Sequence, residues 1–387
     1  MPGFRAPVTT SFDEARSLAL AWAALAPVEV PLARALGAVL AAPLRSQTDL
    51  PAFRTSAMDG WAVAGPGPWR LRAGRALAGT PVDGLSAGEA VEIATGAMVP
   101  DGADSVLRRE DGAVEGTELR GDTEPGRDVL PIAGECTRGD ALLPAGTRVT
   151  PPVLGLAAAT GPDVVAVRTP PRVAVAVLGD ELLDTGLPGD GRVRDRLRLQ
   201  LPGWVAGRGG AVVRVARVPD QLDATVAALQ VDADVVVSTG GTAAGPVDHV
   251  HGALRELGAE LLADGVACRP GHPMVLARLA DGRPYVGLPG NPLSAFVSVL
   301  TLLAPVLEAL SGKGSAPLGS VVVGESFKGR DPDTRLVPVT LVDGRAVSAT
   351  HVGSMMLRGL AHAQGVIVVP PWGADEGDTV RLLELPW

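Results

Sequence analysis

Lysine is nearly missing from this chain: of its 34 lysine and arginine residues only Lys313 and Lys328 are lysine. With 49 glycines and 34 prolines, this fits a genome of biased codon usage, so an arginine where lysine is usual carries little functional meaning. Cysteine is almost as scarce. Cys136 and Cys268 are too few for a disulfide framework and too far apart for a C-x-x-C metal site, so they read as reduced thiols. The anionic Glu135 beside Cys136 argues against a nucleophilic role. A surplus of basic charge is also lacking. The net charge of -9 argues against nonspecific nucleic-acid binding by counterion release, while leaving room for small anions wherever arginines cluster. No apolar run of bilayer length is expected, and "MPGFRAPVTT" has neither the basic nor the apolar region of a signal peptide; the expected setting is the cytoplasm, with no membrane contact. The histidines offer no metal pattern, since His249 and His251 lie two apart without a third ligand at zinc spacing and read as a solvated helix start. No Ser-His-Asp or Cys-His arrangement can be picked out.

What is present is a long, well-furnished globular sequence. Its 387 residues, 46% apolar and 20% charged, suffice for two to four domains with their own cores. Residues 13 to 25 have acidic groups in the first turn and apolar groups at helical spacing, which predicts a short amphipathic helix capped near Ser11 or Asp13. "PLARALGAVLAAPL" is expected to continue that helical layer. From 50 to 138, short apolar runs broken by Gly, Pro and Asp predict a small β-rich domain. "PPVLGLAAATG" ends on a glycine suited to a helix C-cap.

A different regime begins at "PRVAVAVLGDEL". An apolar run without polar alternation implies a strand buried on both faces, and "GAVVRVARVPD", "ADVVVSTGG" and "RPYVGLPG" repeat it with helical lengths between. This predicts a doubly wound α/β domain over 171 to 312, closed by a helix from about Leu293 to Leu310. The tail, with "SVVVGESF", "RLVPVTLV", "GVIVVPP" and "DTVRLLELP", predicts a small all-β domain. The domains expected are therefore 1 to 49 with 139 to 170, 50 to 138, 171 to 312, and 313 to 387.

In a parallel α/β sheet ligands bind beyond the carboxyl ends of the strands. Three loops there carry chemistry. "LGDEL" places Gly179, Asp180 and Glu181 after the first strand; "STGGTAAGPVD" brings Gly240, Gly241, Gly245 and Asp248; "GLPGNPLS" brings Gly287, Gly290, Asn291 and Ser294. Glycine turns expose amides to phosphate, and carboxylates can share Mg²⁺ with phosphate oxygens. Taken singly, a glycine pair is more often a tight bend than a phosphate cradle. Earlier in the chain "PAFRTSAMDGWAV" packs Ser56, Met58, Asp59 and Gly60 into a turn that is either an ordinary loop or a ligand-facing one.

Together, "PAFRTSAMDGWAV", "ATGAMVPDGAD", "PRVAVAVLGDEL", "DVVVSTGGTAAGPVD", "RPGHP", "GLPGNPLS" and "VGSMMLRGLAHAQGVIVVP" resemble, in this order and over nearly the whole chain, the molybdopterin molybdenumtransferase family of the MoeA and gephyrin E-domain type. The resemblance implies α/β plus β architecture in an elongated multidomain protein: a helical or linker N-terminal domain, an inserted β-rich domain, a molybdopterin-binding α/β domain and a C-terminal β-barrel-like domain. It implies a homodimer whose cleft lies between the α/β domain of one subunit and the small β domain of the other. The implied substrates are adenylylated molybdopterin and molybdate, with Mg²⁺ as cofactor and AMP as product. Molybdopterin adenylyltransferase would act upstream, and molybdoenzymes or their chaperones downstream. Carried over residue by residue, Asp59, Glu181, Asp220, Asp248 and Arg269 take catalytic roles, with Glu181 and Asp248 as metal ligands. Binding falls to Ser56, Thr95, Gly179, Asp180, Asp195, Gly240, Gly241, Gly245, Pro270, Gly271, Gly287, Gly290, Asn291 and Ser294.

The chain departs from the family pattern at several positions. Cys136 stands for an aspartate, Gly265 for a lysine, Leu197 for an asparagine, Ala243 for a serine, Leu178 for a threonine and His272 for a lysine. Two readings follow from the resemblance: an active insertase, which is preferred, or a catalytically weakened paralogue that serves as carrier, scaffold or regulator. Adenylylation of molybdopterin by the α/β domain ranks below both.

Overall fold

The computed structural model describes residues 9–242, 249–314 and 317–387. Its first helix, Phe12–Leu20, begins where the acidic first turn places it: the Ser11 hydroxyl accepts from the Glu14 N–H at 3.2 Å. It ends earlier than Leu25. The next stretch corrects the expected helical continuation. Val28–Pro31 and Val39–Leu40 are strands that flank Val164–Arg168, and Leu44–Arg45 pairs with Ala141–Leu143. Helical spacing in "PLARALGAVLAAPL" is a local signal, and pairing with strands far downstream overrides it. Leu40, Val149, Val165 and Val167 form the core of this layer. The helix Pro151–Thr160 closes on Gly161, in the left-handed region at φ 105°.

The inserted β-rich region is a six-stranded sheet with Gly60–Val63 lying between Ser105–Arg108 and Glu89–Ile93. Every residue of Gly60–Val63 is buried. Gly60 is required by packing, since a Cβ there would lie 2.0 Å from the Leu107 carbonyl oxygen.

The largest sheet runs in the order Ala211–Val218, Arg172–Leu178, Val235–Thr239, Pro284–Leu288, Val275–Arg278, Glu260–Asp264. The first four strands are parallel and the last two antiparallel, a hairpin edge that the apolar-run reading did not separate. Period-two alternation explains how both faces are filled. Val173, Val175 and Val177 enter one core with the helices Phe12–Leu20, Leu197–Gly207 and Pro292–Ser311, while Ala176 and Leu178 enter a second with Leu222–Leu229 and Val250–Glu256. The closing helix, Pro292–Ser311, has the length and hydropathy of a bilayer span, which corrects the expectation that no such run exists; it is 89% buried in the protein core.

The C-terminal sheet joins Thr334–Val342, Gly365–Val369, Thr379–Leu383 and Gly319–Val322, and Cys268–Arg269 adds to it in parallel from the α/β region. The tail is not purely β, because Arg358–His362 forms a short helix against Thr334–Val342. Both cysteines are free and buried, and burial pushes the Cys268 thiol up to about 12.

Candidate functional site

Three strand ends meet where the sheet rule puts a ligand. Arg172–Leu178, Val235–Thr239 and Pro284–Leu288 all stop at the rim of a cavity of about 480 Å³, lined among others by Glu181, Asp195, Gly240, Gly241, Gly290 and Asn291. The loops touch one another. The Gly240 N–H donates to the Leu288 carbonyl at 2.9 Å, and a Cβ on Gly290 would lie 3.8 Å from the Gly240 Cα. Gly179 sits at φ 129° with the Glu181 carboxylate folded over it, so a Cβ there would meet Oε2 at 2.6 Å. That fold aims Glu181 at the cavity without an ion-pair partner among the described residues.

One wall is a short parallel ribbon, Leu182–Leu183 with Val193–Arg194. Asp184 braces it by accepting from Arg198 Nη1 at 2.8 Å and lying 3.8 Å from Arg217 Nη1. Asp195 is buried and its Oδ1 accepts from the Arg198 N–H at 3.0 Å, capping the helix Leu197–Gly207. Arg194 and Arg196 also line the cavity and form no ion pair among the described residues. These two were missed as site residues. Their signal was present in the arginines at 192, 194, 196 and 198, of which Arg194 lies in the ribbon and Arg196 at the start of the helix Leu197–Gly207. Thr239 and Thr242 line the cavity as well, and Met355 reaches it from the C-terminal region, where the Ser354 carbonyl accepts from the Leu293 N–H at 3.0 Å. No local pattern marks Met355.

The other expected residues fall in three places. Gly179, Asp180, Asp220 and Gly287 sit behind the rim: Asp220 Oδ2 accepts from the Asp180 N–H at 3.3 Å, and a Cβ on Gly287 would strike Thr242 Cγ2 at 2.9 Å. Arg269, Pro270, Gly271 and Ser294 form a separate seam. Arg269 Nε donates to Asp333 of the C-terminal region at 2.9 Å, and Gly271 packs on Val297 and the Ser294 carbonyl. Ser56, Asp59 and Thr95 gather in the inserted sheet, away from the cavity lining. There the Ser56 hydroxyl donates to the Met58 carbonyl at 2.6 Å, and Asp59 Oδ1 accepts from the Thr95 N–H at 2.8 Å. That bond holds the Asp59 carboxyl below its ordinary value, with Arg109 adding a smaller pull in the same direction. Gly245, Asp248 and Ala243 lie outside the described residues. Among the described residues no group of three or more His, Cys, Asp and Glu is arranged to hold a metal, and His251 Nε2 instead lies 2.8 Å from Asp264 Oδ1.

The departures from the family pattern have structural occupants. Leu197 is buried in the core beneath the cavity, and Leu178 closes its floor. Cys136 is buried where its backbone bridges Leu50, and the Gly265 N–H donates to the Met274 carbonyl at 3.0 Å in a turn that His272 covers.

Backbone turns and the helix start at Asn291–Pro292 share the cavity lining with Arg194, Arg196 and Glu181, which form no ion pair among the described residues, and groups of these kinds can bind an anion and share a cation. Comparisons with known proteins identify the family of the chain. Family models described as "MoeA N-terminal region (domain I and II)", "Probable molybdopterin binding domain" and "MoeA C-terminal region (domain IV)" match residues 10–161, 174–309 and 320–385. The chain is 34% identical over 378 residues to Molybdopterin molybdenumtransferase 2 of Mycobacterium tuberculosis strain H37Rv, covering 89% of this chain and 91% of that one. It is 28% identical to the molybdopterin molybdenumtransferase of Bacillus subtilis strain 168, covering 92% and 91%. A solved molybdopterin biosynthesis MoeA protein from Pyrococcus horikoshii superposes with a TM-score of 0.78 at 27% identity, over 98% of this chain and all of that one.

Proposed function

The chain belongs to the MoeA family of molybdopterin molybdenumtransferases, and from that premise we propose that it works in molybdenum cofactor biosynthesis, taking adenylylated molybdopterin and molybdate and releasing AMP as molybdenum enters the dithiolene. The observation that carries this reading is the cavity of about 480 Å³, where Gly240, Gly241 and Gly290, in the turns after two strand ends, share the lining with Arg194 and Arg196. A phosphoanhydride fits that chemistry, since amides and guanidiniums bind its oxygens. Molybdate is a second anion for the same pair of arginines. The weakened-paralogue reading is not favoured, because relatives matched over about nine-tenths of both chains carry the transferase name.

Finer features of the same reading remain our proposals. The four expected regions act as four domains with the boundaries given above. Glu181, with Asp248, would hold Mg²⁺ against the phosphates; a cation there supplies neutralisation of charge on the leaving phosphate. Among the described residues Glu181 suits this role by chemistry, being a carboxylate that lines the cavity without a protein partner. The protein acts in the cytoplasm as a homodimer, and Ser56, Asp59 and Thr95 of one subunit complete the cavity of the other. Its substrate arrives from a molybdopterin adenylyltransferase and its product passes to molybdoenzymes or their chaperones.

The direct test is AMP release from adenylylated molybdopterin by purified protein with molybdate and Mg²⁺. A rate no higher than that without protein would sink the proposal. The shared cleft is tested by mixing Asp59→Asn and Glu181→Gln chains: two defective homodimers should yield a partly active heterodimer. Absence of recovery in a mixture proven to exchange subunits would leave Asp59 outside the cleft.

A further inference from the structure

A second concentration of positive charge lies away from the cavity, where the N-terminal helix, the α/β region and the C-terminal sheet meet. A cavity of about 140 Å³ there is lined by Arg16, Arg208 and Lys313, with Glu308 and Glu384 as its acidic groups. A smaller cavity shares Arg208, Glu308 and Lys313 and adds Arg148 and Arg168. In a chain of net charge -9, five cations thus surround two carboxylates. One of them is among the only two lysines of the sequence.

These cations are poorly neutralised by the protein. Arg16 Nη1 donates to the Leu300 carbonyl at 2.7 Å, Arg168 Nε to the Leu25 carbonyl at 3.0 Å, and Arg208 Nη2 to the Glu384 carbonyl, all of them backbone acceptors. Among the described residues none of the five forms an ion pair. Arg208 Nε is buried with no hydrogen-bond partner among the described residues. Burial pulls the Arg16 and Arg208 guanidiniums below their ordinary value, with Glu308 opposing it from a distance beyond ion-pair contact. Buried cations that lack compensating charge carry a desolvation cost that an anion relieves.

We propose that this junction is a binding site for a small tetrahedral oxyanion, held by Arg16, Arg208 and Lys313 and tying the three regions together. The volume admits an ion of that size and excludes a nucleotide. Each cation comes from a different segment, so occupancy strengthens contacts that no single domain makes. An anion that binds only the folded chain raises its stability in proportion to occupancy. Phosphate, sulfate and molybdate share the required chemistry, and the proposal does not depend on the transferase reading.

The test is thermal unfolding of the full chain titrated with sodium phosphate, sulfate or molybdate, with sodium chloride holding ionic strength constant. A saturable rise in midpoint is expected with an oxyanion and not with chloride. With Arg196→Met removing the contribution of the other cavity, response to all three ions identifies a general oxyanion site, and response to molybdate alone identifies a second molybdate site. In Lys313→Gln, an exposed position chosen to spare folding, the half-maximal concentration should rise about tenfold, as loss of one charge-assisted contact predicts. Arg196→Met, which alters the other cavity, should keep the part of the response that Lys313→Gln weakens. An equal rise in chloride, or a response lost in Arg196→Met and intact in Lys313→Gln, overturns the proposal.

Discussion

The α/β cavity and the Ser56–Asp59 corner both carry family motifs, yet their polar groups are spent differently. In the corner the Ser56 hydroxyl and the Asp59 carboxylate satisfy neighbouring backbone groups, and Gly60 is wedged against the Leu107 carbonyl. In the cavity Glu181, Arg194 and Arg196 have no ion-pair partner among the described residues. The corner is thus a rigid shape whose charge is already engaged, whereas the cavity keeps its charges for something outside the chain. A well-kept motif therefore marks either a surface that must hold its form or a site that must bind.

The sharpest break in that contrast is Glu181→Gln, which keeps the side chain's shape and removes its charge. AMP release should fall by about 10²- to 10³-fold, the scale of losing one group that stabilises transition-state charge, while the unfolding midpoint changes little. A variant with wild-type turnover would show that the free carboxylate is idle. Next in size is Gly60→Ala, where the new methyl strikes a carbonyl 2.0 Å away. Denaturant titration should show a loss of about 2–4 kcal/mol, comparable to other severe packing errors. An unchanged midpoint would mean that the corner relaxes freely and is not rigid.

Arg194→Met and Arg196→Met should each weaken substrate binding by about tenfold, a loss of roughly 1.4 kcal/mol. The effect should appear in KM and shrink as salt is raised. A salt-independent change would point to packing instead of charge. The smallest effect on stability belongs to Asp59. Its carboxyl is held below the ordinary aspartate value of about 3.9 by the Thr95 N–H. A depressed value makes the ionised form the stabilising one. That contribution is complete above the ordinary value and is lost as pH falls through the folded value, so between neutrality and pH 5 it stays constant. Comparing wild type with Asp59→Asn by unfolding at pH 7 and again in acid checks the sign: the difference between them should narrow only in the acid range.

Legibility in the sequence followed the range of the interaction. Strand ends at Leu178, Thr239 and Leu288 were readable because a doubly covered strand needs an unbroken apolar run, and such a run must stop where its loop begins. The strand Val39–Leu40 was misread as helix because its partner Val164–Arg168 lies across the inserted sheet, so nothing local records the pairing. The cavity's arginines occupied an intermediate case. Their alternation was visible, but only the brace through Asp184 and Arg198 turns alternation into a wall.

By itself the sequence determined the periodic elements, the glycine turns and the family, since each depends on residues close in the chain or on motifs in a fixed order. Tertiary structure alone decided which charges are already paired. Arg269 engages Asp333 and Asp59 engages Thr95, while Glu181, Arg194 and Arg196 remain open to the cavity. Composition counts a charge but not its neighbours, and electrostatic energy is set by distance and burial, which exist only once the chain has folded.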